Sequence, residues 1–178
     1  MESLRTQQDV NATGDVLWSV LQDGAQYCTW VPGVEDVEGD VEDGQAITLV
    51  SDGGRERTSV KIEATTNRRL MTWRTGAGLG LDSTELTFDV ADTGFGCTVV
   101  LTRTDGGLLH GLFGADGDGD PKERLEALAA ALAAAGEARA SRRETRRAVE
   151  DEPGGAGPAD APGSALNPGA AAVEPDGD

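Results

Sequence analysis

Apolar and polar positions change their spacing along this chain, and each change marks an element. Leu4, Thr6, Gln8 and Val10 fall on one side of an extended stretch from Leu4 to Asn11, a loose alternation that predicts a first strand. Val16, Leu17, Val20 and Leu21 then recur at helical spacing behind Thr13 and Asp15, either of which can cap a helix, and Asp23-Gly24 ends it. A second short helix fits Ala25 to Trp30 and is closed by Pro32 and Gly33. Val34, Val37 and Val41 lie among Glu35, Asp36, Glu38, Asp40, Glu42 and Asp43, a pattern of a solvated edge or loop that deters strand pairing. Gln45 to Val50 and Thr58 to Ala64 read as a hairpin around Asp52-Gly53-Gly54, with Val60, Ile62 and Ala64 opposite Ser59, Lys61 and Glu63. Asn67 turns the chain into Leu70–Thr75. Thr84 to Val90 turns Leu86, Phe88 and Val90 to one side, and Thr93-Gly94 leads into Cys97–Arg103, where Cys97, Val99 and Leu101 share a face. Finally, Asp120-Pro121-Lys122-Glu123 resembles a capping box, followed by Leu125, Leu128, Ala129, Leu132 and Ala135 at helical spacing. A strand, two short helices, a run of hairpin-linked strands and a long helix predict an α+β fold, an antiparallel sheet with a helix across one face.

Charge narrows the partners. The formal net charge of −17 over 178 residues argues against nucleic acid and against an anionic membrane surface, both of which recruit clustered cations. No apolar run is long enough for a membrane span, and MESLRTQQDV lacks the apolar core of a secretory signal. Cys28 and Cys97 are too few for a disulfide framework. These features lead us to expect a cytoplasmic protein. Lys61 and Lys122 are the only lysines beside thirteen arginines. A salt-rich cytoplasm and a GC-rich genome explain that equally well, and both bear on solubility rather than chemistry. Composition also divides the chain. Residues 1–140 hold the folded pattern. Residues 141–150 carry Arg142, Arg143, Arg146 and Arg147, with Glu144 and Glu150 as intrahelical partners, and predict a basic extension of the last helix. Residues 151–178 hold five of the seven prolines and no aromatic residue, the composition of a disordered acidic tail.

Within this order, the segment DVLWSVLQDGAQYCTWVPGV places Ala12, Val16, Trp18, Leu21, Asp23, Tyr27, Trp30 and Pro32 in a recognisable pattern. Glu38-Gly39 and Gly44 follow in an acidic hairpin, and Gly96-Cys97-Thr98-Val99-Val100-Leu101 forms a later strand, with cysteine in a place commonly held by threonine. Together, over residues 1–138, they resemble the START-like superfamily (SRPBCC, or birch-pollen-allergen-like), and within it the polyketide cyclase and lipid transport-like branch. The resemblance implies a helix-grip fold, in which a curved sheet of about seven strands wraps a long C-terminal helix and leaves a cavity between them. It also implies that an apolar small molecule is held there, with added catalysis in some members and chaperone partners in others.

On that fold, Tyr27 and Trp30 of the second helix would border the cavity, with Ile62, Trp73, Phe88, Val99 and Leu101 on the sheet and Leu128 and Leu132 on the final helix. The side of Trp73 is open, because Leu70, Thr72 and Arg74 compete with Met71 and Trp73 for the inner face. An inward Arg74 would require a carboxylate or an anionic ligand. His110, the only histidine, could act as a base at the cavity mouth or be an uninvolved hinge residue. The alanines between Leu125, Leu128 and Leu132 make a slim apolar stripe, which leaves either volume for a guest or a sheet that curls closer.

Metal and cofactor chemistry find no pattern. No cysteine pair has zinc spacing. Asp116-Gly117-Asp118-Gly119-Asp120 starts like a calcium loop, but Pro121 stands where glycine is needed and Ala127 where glutamate is needed. Gly76-Ala77-Gly78-Leu79-Gly80 is not followed by a helix and so cannot cradle a phosphate in the usual way. The expectation is a monomer or weak homodimer that carries or senses a hydrophobic small molecule of lipid, polyketide or aromatic type. The alternatives are a cyclase or dehydratase using Tyr27, Arg74 or His110, and a partner-binding module of the chaperone-ATPase-activator kind.

Overall fold

The alternating segments pair into one antiparallel sheet in the computed structural model, which describes residues 2–76, 83–105 and 120–150. Its strands are β1 (Glu2–Val10), β2 (Asp36–Glu38), β3 (Ala46–Ser51), β4 (Glu56–Thr65), β5 (Leu70–Thr75), β6 (Thr84–Thr93) and β7 (Gly96–Asp105), in the spatial order β1-β7-β6-β5-β4-β3-β2. Consecutive hairpins build the sheet from β2 to β7. The first strand then closes onto the last, so that β1 and β2 form the two edges. The acidic segment contributes the short edge strand β2, whose carboxylates stay in water. Asp52, Gly53 and Gly54 all take left-handed backbone angles (φ 50°, 63° and 83°), which is how three residues reverse the chain between β3 and β4.

Between β1 and β2 lie helix α1 (Gly14–Leu21), a 3-10 turn (Gly24–Gln26) and helix α2 (Tyr27–Trp30). Thr13 caps α1, its hydroxyl accepting the Val16 N–H at 3.4 Å. The long helix α3 spans Pro121–Glu150, with Asp120 capping it through the Lys122 N–H at 3.0 Å. It packs on β1, β7, α1 and α2 and buries Leu125, Leu128, Ala129, Leu132 and Ala133. The arginine-rich stretch continues α3 as exposed helix to its end. One continuous apolar cluster runs from the inner sheet face through α1 and α2 to α3.

A polar fastener fixes α1, and with it α2, against the sheet. Arg69 follows the turn before β5 and extends its guanidinium to Asp15 on α1 (2.7 Å) and Asp92 on β6 (2.6 Å). Asp92 also accepts the Gly14 N–H at 2.9 Å, at the positive end of α1. The hydrogen bond from Arg69, and then that from Gly14, hold the Asp92 carboxyl below the usual carboxylate range. Because the folded-state pKa is depressed, the stabilisation is present above about pH 4, the ordinary carboxylate value, and is lost as pH falls through the lower folded value. Both carboxylates are largely exposed, so Asp92→Asn should cost about 1 kcal/mol or less at neutral pH. The gap between variant and wild type should close as the solution is made more acidic. Urea titrations at several pH values check this, and a gap that widens with acid would refute the role.

Candidate functional site

The inner sheet face is laid out by register. One row across the sheet reads Ala64, Met71, Phe88, Leu101 and Thr6. The next reads Ile62, Trp73, Leu86, Arg103 and Leu4, and beyond it Thr75 pairs with Thr84. Opposite these rows, α2 presents Tyr27 and Trp30, three residues apart, on its buried side, while Cys28 and Thr29 face water.

Four rings meet there. The Trp73 ring centre lies 4.9 Å from that of Phe88 and 5.1 Å from that of Tyr27, and Trp30 lies 5.2 Å from Tyr27 and 6.4 Å from Phe88. All four side chains are buried. Such tilted and edge-on contacts add to the stabilisation from area burial alone. Trp73 therefore faces inward. Its indole N–H points to the Met71 sulfur at 3.2 Å.

Three of these rings carry a polar atom, and their hydrogen bonding differs. The Tyr27 hydroxyl donates to the Leu21 carbonyl, and burial, reinforced by Asp23, raises its pKa far above that of a free phenol. The Tyr27 phenol thus stays neutral, with its proton directed to the Leu21 carbonyl. Trp73 has its sulfur contact. The Trp30 indole N–H is buried and has no hydrogen-bond partner. The Trp18 N–H shares that condition, but its ring lies in α1, outside the four-ring contacts.

Arg74 corrects the reading that put it among possible cavity residues. It lies on the outer face, bonded to Glu63 at 2.9 Å and Glu85 at 3.1 Å. Glu85 is directly opposite on β6 and Glu63 is diagonal on β4, so the guanidinium finds two carboxylates while remaining half in water. Turning it inward would remove a cation from water without that compensation.

Of the other expected residues, Tyr27, Trp30, Ile62, Trp73, Phe88, Val99, Leu101, Leu128 and Leu132 all belong to the one buried cluster. His110 lies outside the described residues, as do the glycine-rich stretch from Ala77 to Gly80 and the aspartates at 116 and 118. Three polar inner-face residues escaped the sequence reading. Thr75 donates to the Thr84 carbonyl at 3.4 Å, and half-buried Arg103 occupies the row of Trp73. Continuing the parity of Cys97, Val99 and Leu101 by one step would have found Arg103. Cys97 is buried, and burial pushes its thiol up to about 11, so it packs rather than reacts. Among the described residues no cluster of His, Cys, Asp or Glu is placed to hold a metal, and no helix is long and apolar enough to cross a membrane.

Comparison with known proteins gives the same architecture. The profile of the family described as "Polyketide cyclase / dehydrase and lipid transport" matches residues 1–150. No curated protein matches the chain. Among solved structures, the Aha1 dimer from Colwellia psychrerythraea is similar at a TM-score of 0.59 and 15% identity, covering 77% of this chain and 97% of that one. Ginseng major latex-like protein 151 from Panax ginseng is similar at 0.58 and 16%, covering 78% and 97%. The Zhui aromatase/cyclase from Streptomyces sp. R1128 is similar at 0.50 and 21%, covering 83% and 95%. At such identities the likeness is one of fold, the curved antiparallel sheet with a long C-terminal helix.

Proposed function

The chain belongs to the polyketide cyclase / dehydrase and lipid transport family, and from that membership we propose that it binds a hydrophobic small molecule of lipid, polyketide or aromatic type between sheet and α3, as a cytoplasmic carrier or sensor. The observation that supports this reading is the buried aromatic cluster of Tyr27, Trp30, Trp73 and Phe88 on the inner face, without a free acid or base among its members. Ligand sites are usually of this kind, greasy with a few polar groups that set orientation. Thr75, whose hydroxyl donates to the Thr84 carbonyl, marks the more polar end of the face, and a guest would lie beside the rings toward that end. Ile62, Val99, Leu101, Leu128 and Leu132 would complete its surroundings.

Catalysis is the weaker reading. Of the three side chains considered for a cyclase or dehydratase, Tyr27 is held by the Leu21 carbonyl, Arg74 is paired on the outer face, and His110 lies outside the described residues. One feature favours a partner-binding surface: Phe95, at the β6–β7 tip, is 99% exposed.

Native mass spectrometry of the full chain, with thermal shifts against lipids and aromatics, tests the carrier reading. Co-purified small molecules or a saturable rise in melting temperature are expected. Their joint absence would leave the partner-binding reading as the better one. Phe88→Trp should weaken ligand binding by filling space while costing roughly 1–3 kcal/mol of stability from overpacking. Unchanged affinity would mean that Phe88 does not border the guest.

A further inference from the structure

Leaving a buried donor without an acceptor is costly, and the residues around Trp30 offer it none. Its neighbours are the rings of Tyr27, Trp73 and Phe88, whose own polar atoms are directed elsewhere: Tyr27 to the Leu21 carbonyl, Trp73 to the Met71 sulfur. Of the three polar atoms in the ring cluster, the Trp30 indole N–H alone is left over. Resting on the hydrophobic-ligand reading, we propose that Trp30 sets ligand selectivity by donating this N–H to a neutral acceptor, a ketone, quinone or ester carbonyl, on an otherwise apolar guest. A guest with no acceptor would seal the donor off from any partner. A carboxylate there would exchange its hydration shell for one neutral donor among aromatic rings, an unfavourable trade. The chemistry that suits the position is a carbonyl: strong enough to accept, uncharged, and planar enough to lie among rings.

Three probes of nearly equal size separate these cases: 2-acetylnaphthalene, 2-isopropenylnaphthalene and 2-naphthoate, titrated calorimetrically into the full chain. The ketone should bind about tenfold more tightly than the alkene, the size of one net hydrogen bond, and more tightly than the carboxylate. Trp30→Phe should bring the ketone-to-alkene ratio to about one while keeping the alkene's affinity. Trp18→Phe, which removes the other partnerless N–H, should leave the ratio unchanged. In the wild-type protein the Trp30 indole N–H resonance, assigned from through-space contacts to the Tyr27 and Phe88 rings, should move downfield with the ketone and not with the alkene, a readout that does not require the variant. Equal affinity for ketone and alkene in the wild type, preference for the carboxylate, or a ratio that survives Trp30→Phe would overturn the role of Trp30 and leave the hydrophobic-ligand reading intact. Failure of all three probes to bind would overturn both.

Discussion

Trp73→Ala is expected to cost about 3–5 kcal/mol, a large share of the stability of an ordinary domain. Trp73 is fully buried, its ring meets three others, and its indole N–H is matched to Met71. It is flanked by Ile62 on β4 and Leu86 on β6, so the loss lies in the middle of the sheet, where the backbone is held on both sides and cannot readily collapse into the gap. Penalties in such cases grow with the cavity left behind. Chemical denaturation followed by circular dichroism measures the effect. The cavity should also accept a small aromatic molecule, so indole added to the variant should raise its melting temperature while leaving wild type unaffected. A cost below about 1 kcal/mol would mean that the rings are loosely packed and that the cluster described above has no defined shape.

Gly136→Leu comes next in size. The helix α3 crosses α1 and β1 at Gly136, where even a β-carbon would stand 2.6 Å from Leu17 Cδ1 and 3.5 Å from Val10 Cγ1. Alanine at this position is a test of balance: helix propensity favours it over glycine by about 1 kcal/mol, and a rotation of the Leu17 side chain can relieve the contact. Leucine adds three more carbons to a space without room for one, and the upper end of the overpacking range, about 3 kcal/mol, is expected. The displacement would also push α3 away from α1, so ligand affinity should fall together with stability. Melting curves of the glycine, alanine and leucine forms give the comparison. A leucine form as stable as the alanine form would show that the helices do not approach closely here.

Both predictions depend on features that differ in how visible they are before folding. The elements were largely legible. Leu86, Phe88 and Val90 alternate because one side of β6 is buried, and Asp120-Pro121 stops and starts the chain because a capping carboxylate and a donor-free residue suit a helix N-terminus. Trp73 and Arg74 were not legible, since neighbours on β5 compete for the same face. The deciding groups, Glu63 and Glu85, lie on flanking strands and act only once the register is set. Gly136 reads as one more small residue in an alanine-rich helix until α1 is brought against it.

Local order in this chain is a property of short stretches, because periodicity, capping and turn chemistry act over a few residues. On that basis the sequence by itself determined an antiparallel sheet, two short helices, a long final helix and an acidic surface. Tertiary structure decided what depends on groups far apart in the chain. It directed Arg74 outward to its two carboxylates, bound Arg69 to Asp15 and Asp92, gathered rings from α2, β5 and β6 into one cluster, and left the Trp30 N–H without a partner. A hydrogen bond exists only where donor and acceptor come within about 3 Å of each other, and only the assembled fold sets that distance.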